Sequence, residues 1–364
     1  MNRRQALIGG GSAVALGSAA TWATLSAMGS SSDYATDIAS LRAPLPDNAN
    51  LRDLVRFATL APNGHNTQPW RFRAEGHRID IMPDFTRRTP VVDPDDHHIF
   101  VSLGCAAENL SLASAARGQP GIVRFDPARG NVTFDFQRGP AEQSALFDAI
   151  VKRQSTRAEY DGRAVSTADL HKLARATAIP GVNMVLLTDR RRLDAVRDLV
   201  VAGNSTQMAD AAFVRELKSW LRFNPHRALQ TGDGLYSVAS GNPALPDWMG
   251  PFAFDWLSTA GSQNEAYSRQ IRSSAGIAVF AGQRADPAHW VAVGQACQRF
   301  ALQATALGLK HAFINQPVEV PALRPALTAL VGLPGRRPDI VMRFGYGADL
   351  PWSPRRPVSA VIAT

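Results

Sequence analysis

Two short stretches of the chain hold the residue types that could do chemistry. The first is APNGHNTQPWRF, residues 61–72. Pro62, Asn63 and Gly64 are types that break a helix and turn with backbone N–H groups free to donate. Asn66 and Gln68 set amide donors and acceptors beside Trp70, an apolar plate with one N–H to satisfy. That set suits a planar, heteroatom-rich ligand, and it is also the composition of a plain helix-to-helix turn. The second stretch is DAIVKRQSTR, residues 148–157, an apolar helix ending in Arg153, Ser155 and Arg157. Three donors alternating along an extended chain put two guanidinium groups and a hydroxyl on one edge, suited to a carbonyl-rich ring or a phosphate. A solvated basic helix end has the same composition, but the alternation and the turn pair Asp161-Gly162 favour the ligand.

The elements that must position these stretches follow from periodicity. Leu51, Leu54, Val55 and Ala58 fall on one face, so the first stretch closes a helix over residues 51–60. Residues 77–82, 122–125 and 131–136 read as strands. A long helix spans 101–118 and ends on Gly118, and Ser166 with Asp169 starts another. The run DPDDHH at 93–98 has metal-ligand types. His97 and His98 are neighbours that diverge in either helix or strand, which predicts a solvated turn and helix start rather than a metal site.

An internal repeat organises the rest. GCAAENLSLASAARG from Gly104 aligns without gaps on GQACQRFALQATALG from Gly294, with five identities in fifteen positions. Each copy is followed by a short turn and a strand, 311–315 in the second. Two related halves packed through these helices in a pseudo-twofold pair are expected.

Composition sets the outer limits. The 364 residues can bury a sizeable core, and the apolar fraction of 45% with 19% charge is that of a globular chain. The net charge of +8 comes from scattered arginines with no basic run and no aromatic interleaving, so nucleic acid is not an expected partner. Two cysteines, Cys105 and Cys297, make no disulfide framework. Arg3-Arg4 before the uncharged, Gly/Ala/Leu-rich residues 6–28 resembles a twin-arginine export signal. Residues 1–32 are therefore expected to direct export to the periplasm, with membrane contact only through that segment, which would act as a tether if retained. Residues 33–50 read as a linker.

With both motifs in hand, the chain resembles the FMN-dependent nitroreductase family, in particular its Acg-like branch of fused, double-length members. The resemblance implies an α+β fold of two fused pseudo-symmetric halves, residues 51–147 and 148–364, each with a mixed or antiparallel sheet flanked by helices. It implies FMN as cofactor, with Arg153, Ser155 and Arg157 on the flavin ring and phosphate. Pro62, Asn63, Gly64, His65, Asn66, Gln68 and Trp70 would approach the flavin from the opposing half. Asn315, Gln316 and Pro317 would line the ring, and Arg355 and Arg356 would grip the phosphate. Asn63 stands where serine is usual, and Gln154 interrupts the basic pair. Each half keeps only part of the machinery: Leu41-Arg42-Ala43 is all that precedes the first helix, and residues 179–183, IPGVN, stand where the second NxQPW would be. One FMN site per chain, built from both halves, is the consequence, and a monomer would suffice.

The activity expected from the resemblance is two-electron transfer between a nicotinamide or other donor, such as NAD(P)H, and a nitroaromatic, quinone or similar small molecule. The alternative is a flavin-binding protein that sequesters FMN with little turnover. No GxSxG, HExxH or complete GxGxxG offers another chemistry, and no catalytic side chain or metal is expected. Residues 220–269, rich in Trp, Phe, Pro and Gly, match nothing in the family and read as a lid-like insertion over the flavin or a surface excursion.

Overall fold

The computed structural model describes residues 27–363. Two four-stranded sheets, every pairing in them antiparallel, carry the architecture, which is α+β as expected. The first contains β1 (Trp70–Glu75), β2 (Arg78–Pro83), β3 (Gly121–Asp126) and β4 (Asn131–Phe136) in the order β1-β2-β4-β3. The second contains β5 (Val182–Leu187), β8 (Gly276–Gly282), β9 (Lys310–Phe313) and β10 (Ile340–Gly345) in the order β5-β8-β10-β9. A small parallel pair, β6 (Leu221–Arg222) and β7 (Leu235–Tyr236), lies between β5 and β8 in sequence. Taken in chain order, first strand for first strand, the two large sheets have the same topology.

Between the sheets lie the two helices of the repeat, His97–Ala115 and Pro287–Ala306. Both are apolar nearly all round because they are covered on both sides, and they feed one core with Phe134, Phe280, Phe300 and Phe344. They cross at Gly104 and Gly294, 190 residues apart. A Cβ on Gly104 would stand 2.0 Å from the Val291 carbonyl oxygen, and one on Gly294 would stand 2.0 Å from that of Val101. Val101 and Val291 are themselves equivalent in the repeat, so the contact is self-complementary in the manner of a twofold interface. The polar contacts repeat the pattern: Arg299 Nε donates to Glu108 at 2.7 Å, and Gln298 Nε2 donates to Asn109 at 2.6 Å, which exchanges equivalent positions.

The chain ends tie the sheets together. Phe72 of β1 pairs in parallel with Ile362, and Ser155 pairs in parallel with His311 of β9. Segments distant in sequence thereby extend both sheets, with Phe72 N donating to Val361 O at 2.8 Å and Thr156 N to His311 O at 2.8 Å. One expectation needs correction here. The helix expected to run to Arg157 is only Ala145–Ala149, because residues 153–157 leave it to bond along β9. No helix among the described residues is long and apolar enough to cross a membrane. The export-signal reading falls on residues outside the described ones, apart from their last six.

Candidate functional site

The site grows from the end of the helix Leu51–Thr59, which starts on a reciprocal cap between Asn50 and Asp53. Its last carbonyls lack intrahelical donors, and distant arginines supply them. Arg355 Nε donates to Thr59 O at 2.6 Å and its Nη2 to Ala61 O at 3.1 Å. Arg153 Nη2 and Arg355 Nη2 share Leu60 O at 2.8 and 3.2 Å. Beyond the helix His65, Asn66 and Gln68 all take positive φ, 46°, 55° and 53°. Left-handed backbone at three non-glycine positions is costly and persists only where the surroundings over-determine it.

The surroundings do so through the two amides. Asn66 Nδ2 donates to Gly234 O and Pro354 O, both at 3.1 Å, and its Oδ1 accepts from Arg355 Nη1 at 2.9 Å. Gln68 Nε2 donates to Gly232 O at 2.8 Å, while its Oε1 accepts from the Arg356 backbone N–H at 2.9 Å. Both amides are thus occupied within the protein, mostly by backbone, which corrects the expectation that they are free to meet a ligand. Asn66 still borders the cavity, whereas Gln68 is fully buried behind it.

Arg42, Arg153 and Arg355 converge in a narrow cavity of about 60 Å³ with Gln154, Ser155 and Trp352. All three are buried, and every hydrogen bond they make goes to a carbonyl or amide oxygen, such as Val151 O for Arg42 at 2.8 Å. Arg153 Nε and Nη1 have no partner at all. Burial first, and then the neighbouring guanidinium, pushes Arg355 down to about 9. Burial pushes Arg153 down to about 10, and Arg42 is lowered well below its usual range by burial, Arg355 and Arg153. Clustered buried cations with orphaned donors and no acid among them are satisfied by an anion, and a phosphate is the shape their forks match.

This corner opens into a wider cavity of about 210 Å³ through Pro62, Asn63, Arg157, Leu235 and Phe313, which border both. Val101 and Cys105 of the first central helix, Phe213 and Leu217 of the helix Ala211–Ser219, and Ile340 give the wide end its apolar walls. Gly64, His65, Asn315, Gln316 and Tyr267 add polar edges, and the Gln316 Oε1 atom is buried without a partner. Burial pushes the Arg157 guanidinium down and the Tyr267 phenol up. At the far wall Glu319 accepts from Gln207 Nε2 at 2.7 Å and lies 3.9 Å from His98 Nδ1. Burial raises its carboxyl, against the pull of His98 and the Gln207 bond, so a proton can be held there.

The expected site residues therefore divide. Pro62, Asn63, Gly64, Asn66, Arg153, Ser155, Arg157, Asn315, Gln316 and Arg355 border the two connected cavities. Gln68, Pro317 and Arg356 do not; Pro317 is buried in the first turn of the helix Gln316–Glu319, and Arg356 Nη2 turns away to Ala360 O at 3.0 Å. Arg42, set aside from sequence as a remnant, stands in the anion corner, and the only signal for it was a basic residue ahead of the first helix. His65, expected in the same element, borders the wide cavity. Tyr267 and Glu319 were not singled out, since a lone tyrosine or glutamate carries no spacing to read.

The expectation for residues 93–98 is corrected as well. The His97 and His98 rings lie 4.8 Å apart, and ligand atoms of Asp93, His97 and His98 fall within 4.8 Å of one another. Asp96 takes a left-handed φ of 55° just before them, and His97 is buried and His98 half-buried. Asp93 caps the helix by accepting from His98 N at 3.0 Å, and His97 Nε2 stands 3.0 Å from Asp339 Oδ1. Asp93 is spent on the helix start, while His97 Nε2 and His98 Nε2 are buried without a hydrogen-bond partner, so the cluster is a buried helix start rather than a solvated one.

No protein-family model matches the chain. A Mycobacterium tuberculosis protein named "Putative NAD(P)H nitroreductase" is 28% identical over 340 residues, covering 89% of this chain and 94% of its own. A second protein of that organism with the same description, Acg, is 24% identical over 326 residues, covering 85% of this chain and 94% of its own. A solved nitroreductase with bound FMN from Desulfitobacterium hafniense is 15% identical, covers 61% of this chain and 99% of its own, and superimposes with a TM-score of 0.37.

Proposed function

We propose that the chain is an FMN-dependent oxidoreductase of the nitroreductase type, made of two fused halves around one flavin site. The observation that carries this reading is the anion corner: three buried guanidinium groups without an acid, at the narrow end of an elongated slot. Similarity along nearly the whole length of relatives named as NAD(P)H nitroreductases supports the class of chemistry.

Arg42, Arg153 and Arg355 would hold the cofactor phosphate, and the orphaned Arg153 donors fit that role. Residues 62–64, Arg157, Asn315 and Gln316 would border the ring in the wide end. When bound, FMN supplies two-electron transfer to and from small organic molecules. Arg157 places positive charge where the two cavities meet and favours an electron-rich ring there. Leu235, Phe213 and Tyr267 keep water from the slot, and the Glu319 carboxyl can hold a proton at its far wall. A nicotinamide is the donor this reading assigns, and a nitroaromatic or quinone the acceptor. Arg3 and Arg4 would send the protein to the periplasm.

A second reading has its own observation. Residues 232–235 are bound to the left-handed turn and lean over the slot, with Gly234 N donating to Asn66 O at 3.2 Å, which favours a protein that covers and stores a flavin. The absorbance spectrum of purified protein, followed by anaerobic NADPH, separates the two. Bleaching of a flavin band supports the reductase, an unbleached flavin band supports storage, and a chain that binds no FMN when reconstituted refutes both.

A further inference from the structure

Three of the large side chains most open to solvent stand four residues apart in one short segment: Trp248, Phe252 and Trp256 are 67, 68 and 85% exposed. Leu257 beside them is 71% exposed. They sit on or just before the helix Gly250–Leu257, so Phe252 and Trp256 share one face. That face is held outward. Gly250 is pressed against the Phe223 ring, 2.2 Å from where its Cβ would be, and Ala253 and Phe254 on the other side wall a cavity of about 340 Å³. The helix's one charged residue, Asp255, is paired with Lys218 Nζ at 2.8 Å.

A second observation bears on what covers the stripe. Residues 5–32 carry no charge, and this run joins the body where His226 N donates to Met28 O at 2.9 Å. Asn224, the cap of the helix Pro225–Thr231 that carries His226, donates to Leu245 O at 3.2 Å and to Asp247 Oδ1 at 2.8 Å, next to Trp248. The uncharged run and the aromatic stripe thus meet the body at one place, on a chain of net charge +8.

We propose that this stripe docks on the surface of an anionic lipid bilayer, with the helix Gly250–Leu257 lying in the headgroup region. Tryptophan and phenylalanine on one face of a short helix, whose only acid is paired, match the boundary between headgroups and acyl chains. A basic protein is drawn to such a surface before the apolar contact forms. The cavity behind the helix shares Arg157, Leu235, Gln263 and Tyr267 with the main site, so a lipid-dissolved aromatic acceptor such as a quinone has an apolar route inward. That last consequence rests on the flavin reading; the docking does not.

The test uses the full chain carrying Trp256→Cys, labelled on the new thiol with the environment-sensitive fluorophore NBD. Cys105 and Cys297 are buried and do not compete. Vesicles of phosphatidylcholine with phosphatidylglycerol are expected to shift its emission to the blue, raise it severalfold and expose it to quenching by spin-labelled lipid. Adding Trp248→Ser and Phe252→Ser should remove that response without lowering the melting temperature. Blue emission before vesicles are added overturns the proposal: if independent of protein concentration, the chain's own apolar run covers the stripe, and if concentration-dependent, a second copy does. Binding to vesicles with no change in the label overturns it too, since the chain would then be tethered elsewhere with the stripe in water.

Discussion

Replacing Arg153 with methionine separates a cofactor anchor from a structural strut, because the two roles predict effects of opposite sign. In the cofactor-free protein the Arg153 side chain makes one hydrogen bond, to Leu60 O at 2.8 Å, and leaves Nε and Nη1 buried without partners. Its removal does not orphan that carbonyl, which keeps Arg355 Nη2 at 3.2 Å. A buried, unpaired cation replaced by an apolar group of similar volume is neutral or stabilising, so the cofactor-free variant should melt at the same temperature or higher, by about 1 kcal/mol or roughly 2 °C. The loaded protein should lose one member of a buried charge pair, worth about 2–5 kcal/mol. That is a rise in FMN Kd of roughly 30- to 5,000-fold. Riboflavin, which lacks the phosphate, should bind both proteins alike. Flavin fluorescence titration with FMN and riboflavin, alongside calorimetric melting of both cofactor-free proteins, reads all of these. A variant destabilised by more than about 2 kcal/mol with an unchanged FMN Kd would refute the anion-corner argument.

Gly104→Ala and Gly294→Ala should each cost about 3 kcal/mol or more in chemical denaturation, because the new methyl would meet backbone at 2.0 Å; unequal costs, one large and one negligible, would contradict the twofold contact. The His65 imidazole is pushed down to about 4 by burial first and then by Arg157 and His98, so its folded value lies below its unfolded one. Its contribution is present above pH 6.5 and lost as pH falls through about 4, a loss of about 2 kcal/mol for a half-buried group. His65→Asn keeps a side chain that tolerates the left-handed backbone and should flatten that acid limb, which urea titrations across the range would detect. Glu319→Gln should raise stability relative to the parent as pH rises, since a carboxyl raised on folding contributes stability at low pH that is lost through its folded value. Arg3→Lys with Arg4→Lys should abolish export of a reporter fused behind residues 1–32, and export that persists would rule out the twin-arginine reading.

Residue types and local periodicity alone determined the elements and the chemistry on offer. Period and caps located the helices near 51–60, 101–118 and from Ser166, and strands at 122–125 and 131–136, because capping and alternation act over a few residues. The repeat aligned Gly104 on Gly294 and paired their helices, and the structure then showed why both are glycine: the close crossing leaves room only for hydrogen at both positions. Tertiary structure alone decided which polar groups remain free. Asn66 and Gln68 looked available in sequence, yet carbonyls more than 160 residues away take their amides. Arg355 and Arg356 are neighbours of the same type, but one enters the anion corner and the other turns to Ala360 because the chain there is extended and alternates its faces. Arg42 and Arg153, 111 residues apart, share one cavity. A hydrogen-bonding group is defined by its residue, but whether it is spent or spare depends on partners that only folding brings within 3 Å.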